Sequence, residues 1–472
     1  MQAVVLCSLK KPFGKKDWDI LLRYAHRVRA LPRLSDSFGL AIDCIEALSK
    51  PPASIQSIFP NLRIVGLHEP SATIAPLIQH LTNPRVTDIW LGSTEILGST
   101  TGAFGHRCPF VTTFRVSQWA HSDTISSLIC HWQNLRTVRC YHAGLNVDAL
   151  SHLSRLGGLR CMSFKVHDAV VDQLHATQSS PSTLTFSALR DLHLNSPSLT
   201  PAGRLLWYFR IPEIHDISVG LSACPTAPDL MAFFAALQGA CTHASLNDLS
   251  LRVYHNNNKS VMPSMENSYY ITFDHLRPLT VFVNIKSITL DIPCGVDLNE
   301  HELLSLASSW PHLEFFEVGE NHDWTTSSAL TPGGFLELLE GCKSLRVLFF
   351  MLDTRGYTEI PRGHPWRGLK MPKNAFIHLL NSPIEEESIE ALGVFFHVAP
   401  YPKFGLTTQW NNPYFRGRER PTELCDLYYD RWVRARDLAR DLWETRRKLR
   451  HSLETLPRGR VVHSDGDKYD RS

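Results

Sequence analysis

The chain has 472 residues, 43% hydrophobic and 20% charged, with 48 basic and 46 acidic side chains for a net charge of +2. That apolar content excludes wholesale disorder, no apolar run reaches the roughly 18–20 residues of a membrane span, and the charge balance speaks against a nucleic-acid binder. Eleven cysteines without a CxxC pair read as free thiols of a reducing compartment, cytosol or nucleus, and an apolar start followed by Lys10 and Lys11 inverts the order of a secretory signal.

In chain order, residues 1–16 read as a polar linker. Asp17–Leu31 reads as a capping helix, with Trp18, Ile20, Leu21, Tyr24, Ala25 and Val28 on its apolar side, feeding an irregular first strand within 17–58. Residues 59–398 then repeat one pattern: apolar, two residues, apolar, one residue, apolar. It opens at Leu62, Val86, Val111, Leu135 and Leu159, spaced 24, 25, 24 and 24 residues apart. Six looser copies follow from Leu189, Ile214, Leu246, Ile285, Leu313 and Leu345, and a twelfth is Ile389-Leu392-Val394.

A period of roughly 20–29 residues with an L-x-x-L-x-L kernel marks a leucine-rich repeat. The last two apolar positions alternate along a short strand and point to one core, while the residues between them point away. Apolar residues at helical spacing recur between kernels, as in Ile74-Leu77-Ile78-Leu81, Leu150-Leu153-Leu156, Leu230-Phe233-Phe234-Leu237, Leu303-Leu304-Ala307 and Phe335-Leu338-Leu339. The predicted fold is α/β: a leucine-rich-repeat solenoid of about twelve degenerate units, with a parallel sheet on the concave face and helices on the convex face. The plain alternative is a three-domain α/β protein with chance apolar triplets.

Extra length in the later repeats is assigned to polar stretches such as His255–Lys259 and Arg355–Lys370. Residues 399–420 read as a loop, 421–457 as a C-terminal capping helix and 458–472 as a disordered tail. Pro421 suits a first-turn position, and Leu424, Leu427, Tyr428, Trp432, Ala435, Leu438, Ala439, Leu442, Leu449 and Leu453 form the apolar side of that helix. Its basic residues, including Arg446-Arg447-Lys448, read as a solvated outer face.

The sequence holds no G-x-S-x-G, P-loop, G-x-G-x-x-G or H-E-x-x-H, so no catalytic, cofactor or metal site is expected. Gly98–Gly102 looks like a phosphate loop without its lysine and reads as a junction turn. His152, His167 and His175 read as structural histidines. An enzyme alternative, a hydrolase built on the insertions 252–284 and 352–388, needs a polar pocket with converging His and Asp residues.

Binding surface is therefore sought at the third, fifth and seventh positions of each kernel, which face away from the core. The early repeats present Arg115, Arg139, Tyr141 and Lys165, a basic patch. The middle strands present Asp191, Asp216 and Asp248 in one row. The last present Phe315, Val347, Phe349, Met351 and Phe395, an apolar cluster that marks partner contact unless a loop or the last helix folds over it.

Asp17–Leu31 resembles the segment that follows the F-box in mushroom-type (basidiomycete) F-box/leucine-rich-repeat proteins. Phe59-Pro60-Asn61-Leu62-Arg63 is similar to the first repeat of that family, and Leu427-Tyr428-Tyr429-Asp430-Arg431-Trp432 to its C-terminal helix. The resemblance implies a non-enzymatic receptor of a Skp–cullin–F-box ubiquitin ligase, whose repeats hold a target protein while an F-box docks the Skp adaptor. Sixteen residues precede Asp17, too few for a three-helix F-box, so Skp and cullin are expected partners only if an F-box lies upstream. A free-standing interaction scaffold is the rival expectation. The target sits on the concave face in both readings, with neither nucleic acid nor membrane as partner.

Overall fold

The computed structural model describes residues 13–34, 42–67, 75–92, 101–117, 122–177, 183–254, 270–292, 294–318, 330–360, 376–397, 405–411 and 421–455. Numbering each kernel from its first apolar residue, positions one, four and six are core: Leu192, Ile217 and Leu249 at position four, for example, are at most 1% exposed. A strand begins at position three of each unit. In chain order the strands are β1 (Ala30–Leu34), β2 (Ile64–Leu67), β3 (Asp88–Leu91), β4 (Thr113–Val116), β5 (Thr137–Gly144), β6 (Cys161–Lys165), β7 (Leu184–Thr185), β8 (Asp191–Ser196) and β9 (Phe209–Arg210). They continue as β10 (Asp216–Leu221), β11 (Asp248–Val253), β12 (Tyr270–Thr272), β13 (Ser287–Asp291), β14 (Gly295–Asp297), β15 (Phe315–Val318), β16 (Val347–Phe349), β17 (Phe376–His378) and β18 (Gly405–Thr407).

Fourteen of these form one parallel sheet in the order β1-β2-β3-β4-β5-β6-β8-β10-β11-β13-β15-β16-β17-β18, so each unit pairs with the units before and after it. Register is set at position two, where one carbonyl accepts two N–H groups from the next unit. The Arg63 carbonyl takes Thr87 and Asp88 at 2.9 and 3.0 Å, and the Arg190 carbonyl takes His215 and Asp216 at 2.8 and 2.9 Å. Using both lone pairs of one oxygen fixes the entry of each strand against its neighbour. Like positions therefore stand side by side: Asp191 beside Asp216 beside Asp248, and Arg115 beside Arg139.

Helices return the chain along the other side of the sheet, and local sequence signals open them. The Asn146 side chain accepts the Ala149 N–H ahead of Val147–Ser154, Thr226 and Asp229 form a reciprocal box ahead of Ala227–Ala240, and Asn299 and Glu302 do so ahead of Glu300–Ser309. The expected helical stretches near Leu77, Leu150, Leu230, Leu303 and Phe335 are all helices. Part of the extra length in later units builds two short parallel ladders, β7 with β9 and β12 with β14. Residues 255–259, 361–370 and the tail from 458 lie outside the described residues.

The ends depart from expectation in three ways. The first helix is Lys15–Ala25, and Ala30 and Leu31, expected at its end, belong to β1. Trp18 and Ala25 are its buried residues, and the Asn61 side chain donates to the His26 carbonyl at 2.7 Å just beyond it. The twelfth triplet, Ile389-Leu392-Val394, is a helix (Ile389–His397) rather than a strand. Its first two residues share the i, i+3 spacing of a helix, and Phe395 and Phe396 complete that period. The strand of this repeat is β17, with Ile377 and Leu379 in the core, and β18 adds one more.

The final helix, Thr422–Thr455, covers the end of the array with Cys425, Trp432, Ala435 and Ala439. It lies on Ile389–His397, where a Cβ on Gly393 would stand 2.6 Å from Leu438 Cδ2. The Trp410 and Trp432 indole N–H groups both donate to the Ser382 carbonyl, at 2.7 and 2.8 Å. Leu424, Leu427 and Leu449, expected on the apolar side, are 36%, 44% and 60% exposed. From Arg440 to Ser452 no residue is buried, because a helix of 34 residues, roughly 50 Å long, outruns the repeat it caps. Gly393→Val is expected to push Leu438 away and lower stability by about 1–3 kcal/mol. The urea midpoint measures this, and an unchanged midpoint would mean that the two helices are not tightly packed.

Candidate functional site

Positions three, five and seven place their side chains on the face of the sheet opposite the core, because successive residues of a strand alternate. In-register stacking turns each position into a row across strands, and these rows form three zones.

The first zone lies on β3 to β6. Trp90, Arg115, Arg139 and Ser163 are register partners in sequence. The Arg115 guanidinium sits over the Trp90 ring, 5.1 Å from its centroid. Arg139 is half-buried and bonds the Cys161 thiol, which holds the guanidinium above its usual range; burial pushes that thiol up, and the cation draws it back. Tyr141 is 42% exposed, and its carbonyl accepts the Asn195 side chain at 3.2 Å. Tyr141 and Lys165 do not pair in register as kernel spacing implies. A shift after Cys140 sets Gly144 opposite Lys165, and a Cβ on Gly144 would lie 2.3 Å from the His167 ring.

The second zone is the carboxylate row on β8, β10 and β11. Burial raises the Asp216 pKa; His193 at 4.0 Å opposes that rise, and Asp248 and Asp191 on either side reinforce it. Burial likewise raises Asp248, against the pull of Lys286.

The third zone is apolar. Phe315, Val347 and Phe376 are register partners on β15, β16 and β17, each half-buried. Phe349 stands one step further along β16, with Phe315 and Phe376 at 6.2 Å and the His378 ring stacked on it at 5.1 Å and 25°. It is 8% exposed and Met351 is 3% exposed, so both are covered by the chain itself. Phe395 does not belong to this face. It lies on the helix Ile389–His397, 1% exposed, with its ring against Phe335, Tyr357 and Phe396. The twelfth triplet is helical, and so its alternate position points into the core.

Sequence reasoning missed Trp90, Phe376 and His378. Trp90 holds the same kernel position as Arg115, and that shared position is the signal that places it in the row. The kernel of β17 has Asn374 where an apolar residue is required, which hid it from the pattern. His378 is buried enough to lower its pKa to about 4, and its Nδ1 accepts the Leu380 N–H at 3.2 Å. The ring is therefore neutral at pH 7 and packs on Phe349 as an aromatic.

The other expected features resolve locally. His152 engages the Trp132 carbonyl at 3.0 Å and His175 the Tyr208 hydroxyl at 2.8 Å, while burial lowers the His167 pKa. Glu302 serves as the capping carboxylate for Asn299. Gly98 to Thr100 lie outside the described residues, and Thr101 and Gly102 open a short helix. The ten described cysteines are free thiols; burial pushes Cys108, Cys241 and Cys342 up to about 12. Among the described residues no group of three His, Cys, Asp or Glu is placed to hold a metal ion, and no helix is long and apolar enough to cross a membrane.

These strand–helix units, eleven of them with an apolar L-x-x-L-x-L-type kernel in one all-parallel sheet, define a leucine-rich-repeat solenoid. No family model and no curated protein matches the chain. Among solved structures, the functional domain of InlJ from Listeria monocytogenes, which includes a cysteine ladder, is similar at TM-score 0.33 and 10% identity, over 77% of this chain and 67% of that one. The Rad7–Elc1 complex from yeast is similar at TM-score 0.33 and 12% identity, over 77% of this chain and 93% of that one.

Two titrations act in opposite directions. Between about pH 4 and 6.5 the unfolded chain protonates His378 and the folded chain does not, so stability rises with pH by up to about 3 kcal/mol across that window. The thermal midpoint of His378→Asn is expected to vary less between pH 4.5 and 7.5 than that of the parent. Asp216 has a raised pKa, so its charge costs stability at neutral pH and that cost fades as pH falls. Asp216→Asn is accordingly expected to raise the midpoint at pH 7. A fall would mean that the carboxylate is held by partners that outweigh its neighbours' repulsion.

Proposed function

We propose that this chain is a non-enzymatic, protein-binding solenoid whose target lies across the open face of the sheet. The observation that carries the reading is the juxtaposition of three zones on that face: Trp90, Arg115 and Arg139, then Asp191, Asp216 and Asp248, then Phe315, Val347 and Phe376. Contiguous half-exposed apolar side chains beside charged rows have the make-up of an interface, with aromatic and arginine anchors rimmed by polar groups. A cytosolic or nuclear location is part of the proposal and follows from the reading of the thiols.

The finer proposal is that the chain is the target-recognising part of a Skp–cullin–F-box ubiquitin ligase. It is supported by the resemblance of Asp17–Leu31, Phe59–Arg63 and Leu427–Trp432 to mushroom-type F-box/leucine-rich-repeat proteins. The receptor does no chemistry in that role. It holds the target near the charged ubiquitin carrier and converts a bimolecular transfer into a local one. The adaptor contact is assigned to no residue of this chain.

Affinity purification of the tagged chain from its own cells tests both levels. The ligase role requires an adaptor and a cullin to co-purify; their absence beside a retained target would leave a stand-alone interaction scaffold. For the face itself, Val347→Glu is expected to lower recovery of the co-purifying target at least tenfold with the thermal midpoint nearly unchanged. Phe349→Ser, which empties a buried position, is instead expected to cost about 3–5 kcal/mol of stability. Undiminished target recovery by Val347→Glu would remove the apolar zone from the interface.

A further inference from the structure

Trp90, Arg139 and Ser163 stand in one row on the open face, and each has a buried polar atom with no hydrogen-bond partner among the described residues: Trp90 Nε1, Arg139 Nε and Ser163 Oγ. The first two can only donate, and the third donates readily. Arg115 lies between Trp90 and Arg139, so two guanidinium groups occupy adjacent strands about 4.8 Å apart. Like charges directly opposite destabilise a sheet. The three unpartnered atoms lie beneath the surface, so the groups a ligand meets are the exposed Arg115 and half-buried Arg139 guanidinium groups, whose forks match a carboxylate.

The neighbouring zone has the opposite character. Asp191, Asp216 and Asp248 are three carboxylates on consecutive strands, with His193 near Asp216 and Lys286 near Asp248. From Arg139 on β5 to Asp216 on β10 is three sheet steps, about 14 Å, and to Asp248 four steps, about 19 Å. An extended peptide advances about 3.3 Å per residue, so four to six residues span the two zones.

Building on the protein-binding reading, we propose that the open face recognises an extended peptide segment with segregated charges. Its Asp or Glu side chains lie at Arg115 and Arg139, and its Lys or Arg side chains, four to six residues away, lie on the Asp191–Asp216–Asp248 row. A carboxylate fits better than a phosphate dianion, because Asp191 stands only two strands from Arg139. The same row argues against a nucleic-acid strand, whose uniform negative charge would run onto three carboxylates.

The test uses the full chain and fluorescein-labelled twelve-residue peptides in a Gly/Ser background. One carries two Glu and two Lys separated by five residues, a second carries the same four residues interleaved, and a third has phosphoserine for Glu. Twelve-nucleotide oligo-dT is the nucleic-acid probe. The segregated peptide is expected to bind at least tenfold tighter than the interleaved one, with affinity falling as salt rises. The Arg115→Glu/Arg139→Glu pair and Asp216→Lys should each lose at least tenfold. If charge reversal impairs folding, judged by the thermal midpoint, Arg115→Gln/Arg139→Gln is read in its place and is expected to lose the preference for the segregated peptide.

Equal binding of the segregated and interleaved peptides, absence of binding, or undiminished binding by the folded arginine variants would overturn the proposal. So would tenfold tighter binding of the phosphoserine peptide or of oligo-dT. The protein-binding reading has its own readout: target recovery that Val347→Glu abolishes, beside a failed peptide test, refutes only the charge order.

Discussion

The register set at position two of each repeat underlies every other feature of this molecule. One backbone carbonyl receives two N–H groups from the following unit, and the arrangement recurs from Arg29 to Glu314. Because the strands are parallel and in register, a residue is placed beside its counterparts in the adjacent units. A side-chain choice that would be a minor detail in an antiparallel hairpin is thereby multiplied into a continuous row. On the core side the multiplication makes a single apolar spine from Trp18 to Trp432. On the other side it makes surfaces of uniform character.

Rows of like residues have energetic consequences that depend on what the residues are. Apolar rows gain, since each buried side chain packs against similar shapes on both sides, as Leu192, Ile217 and Leu249 do. Charged rows lose: Asp216 stands between Asp191 and Asp248, and its raised pKa expresses their repulsion together with its burial. Stability alone would favour alternation of sign. A sheet that sets cations on β4 and β5 and carboxylates on β8, β10 and β11 instead gathers like charges at a cost in stability.

A stacked array must also end, and its two ends are closed differently. At the start, a short helix buries Trp18 in the common core, with Phe13 edge-on to its ring at 5.6 Å. At the finish, two indole N–H groups converge on the Ser382 carbonyl, and Gly393 admits Leu438 at close range. The closing helix is tied by Arg431, which bonds the Ile384 carbonyl at 2.9 Å and the Glu386 carboxylate at 3.2 Å. These contacts occupy the first half of the helix, and from Arg440 to Ser452 it carries no buried residue.

The repeat, its period and the rows it generates were legible in the amino-acid sequence, because alternation along a strand and the spacing of kernels are local properties. Arg115, Arg139, Asp191, Asp216 and Asp248 could be assigned to one face on that basis alone. The twelfth triplet misled because the i, i+3 spacing of Ile389 and Leu392 satisfies both patterns, and β17 escaped because Asn374 interrupts its kernel. Whether Phe349 and Met351 are accessible could not be read from their positions. The exposure of Phe349 depends on Phe315, Phe376 and His378, of which Phe376 and His378 come from the next repeat and Phe315 from the one before. The depressed pKa of His378 likewise arises from burial, and the ring stacked on it, Phe349, belongs to the preceding repeat. The sequence by itself determined which side chains share a row, since that follows from periodicity. Only the tertiary structure decided which members of a row are covered, paired or left with an unsatisfied donor, because those outcomes depend on neighbours that folding brings together.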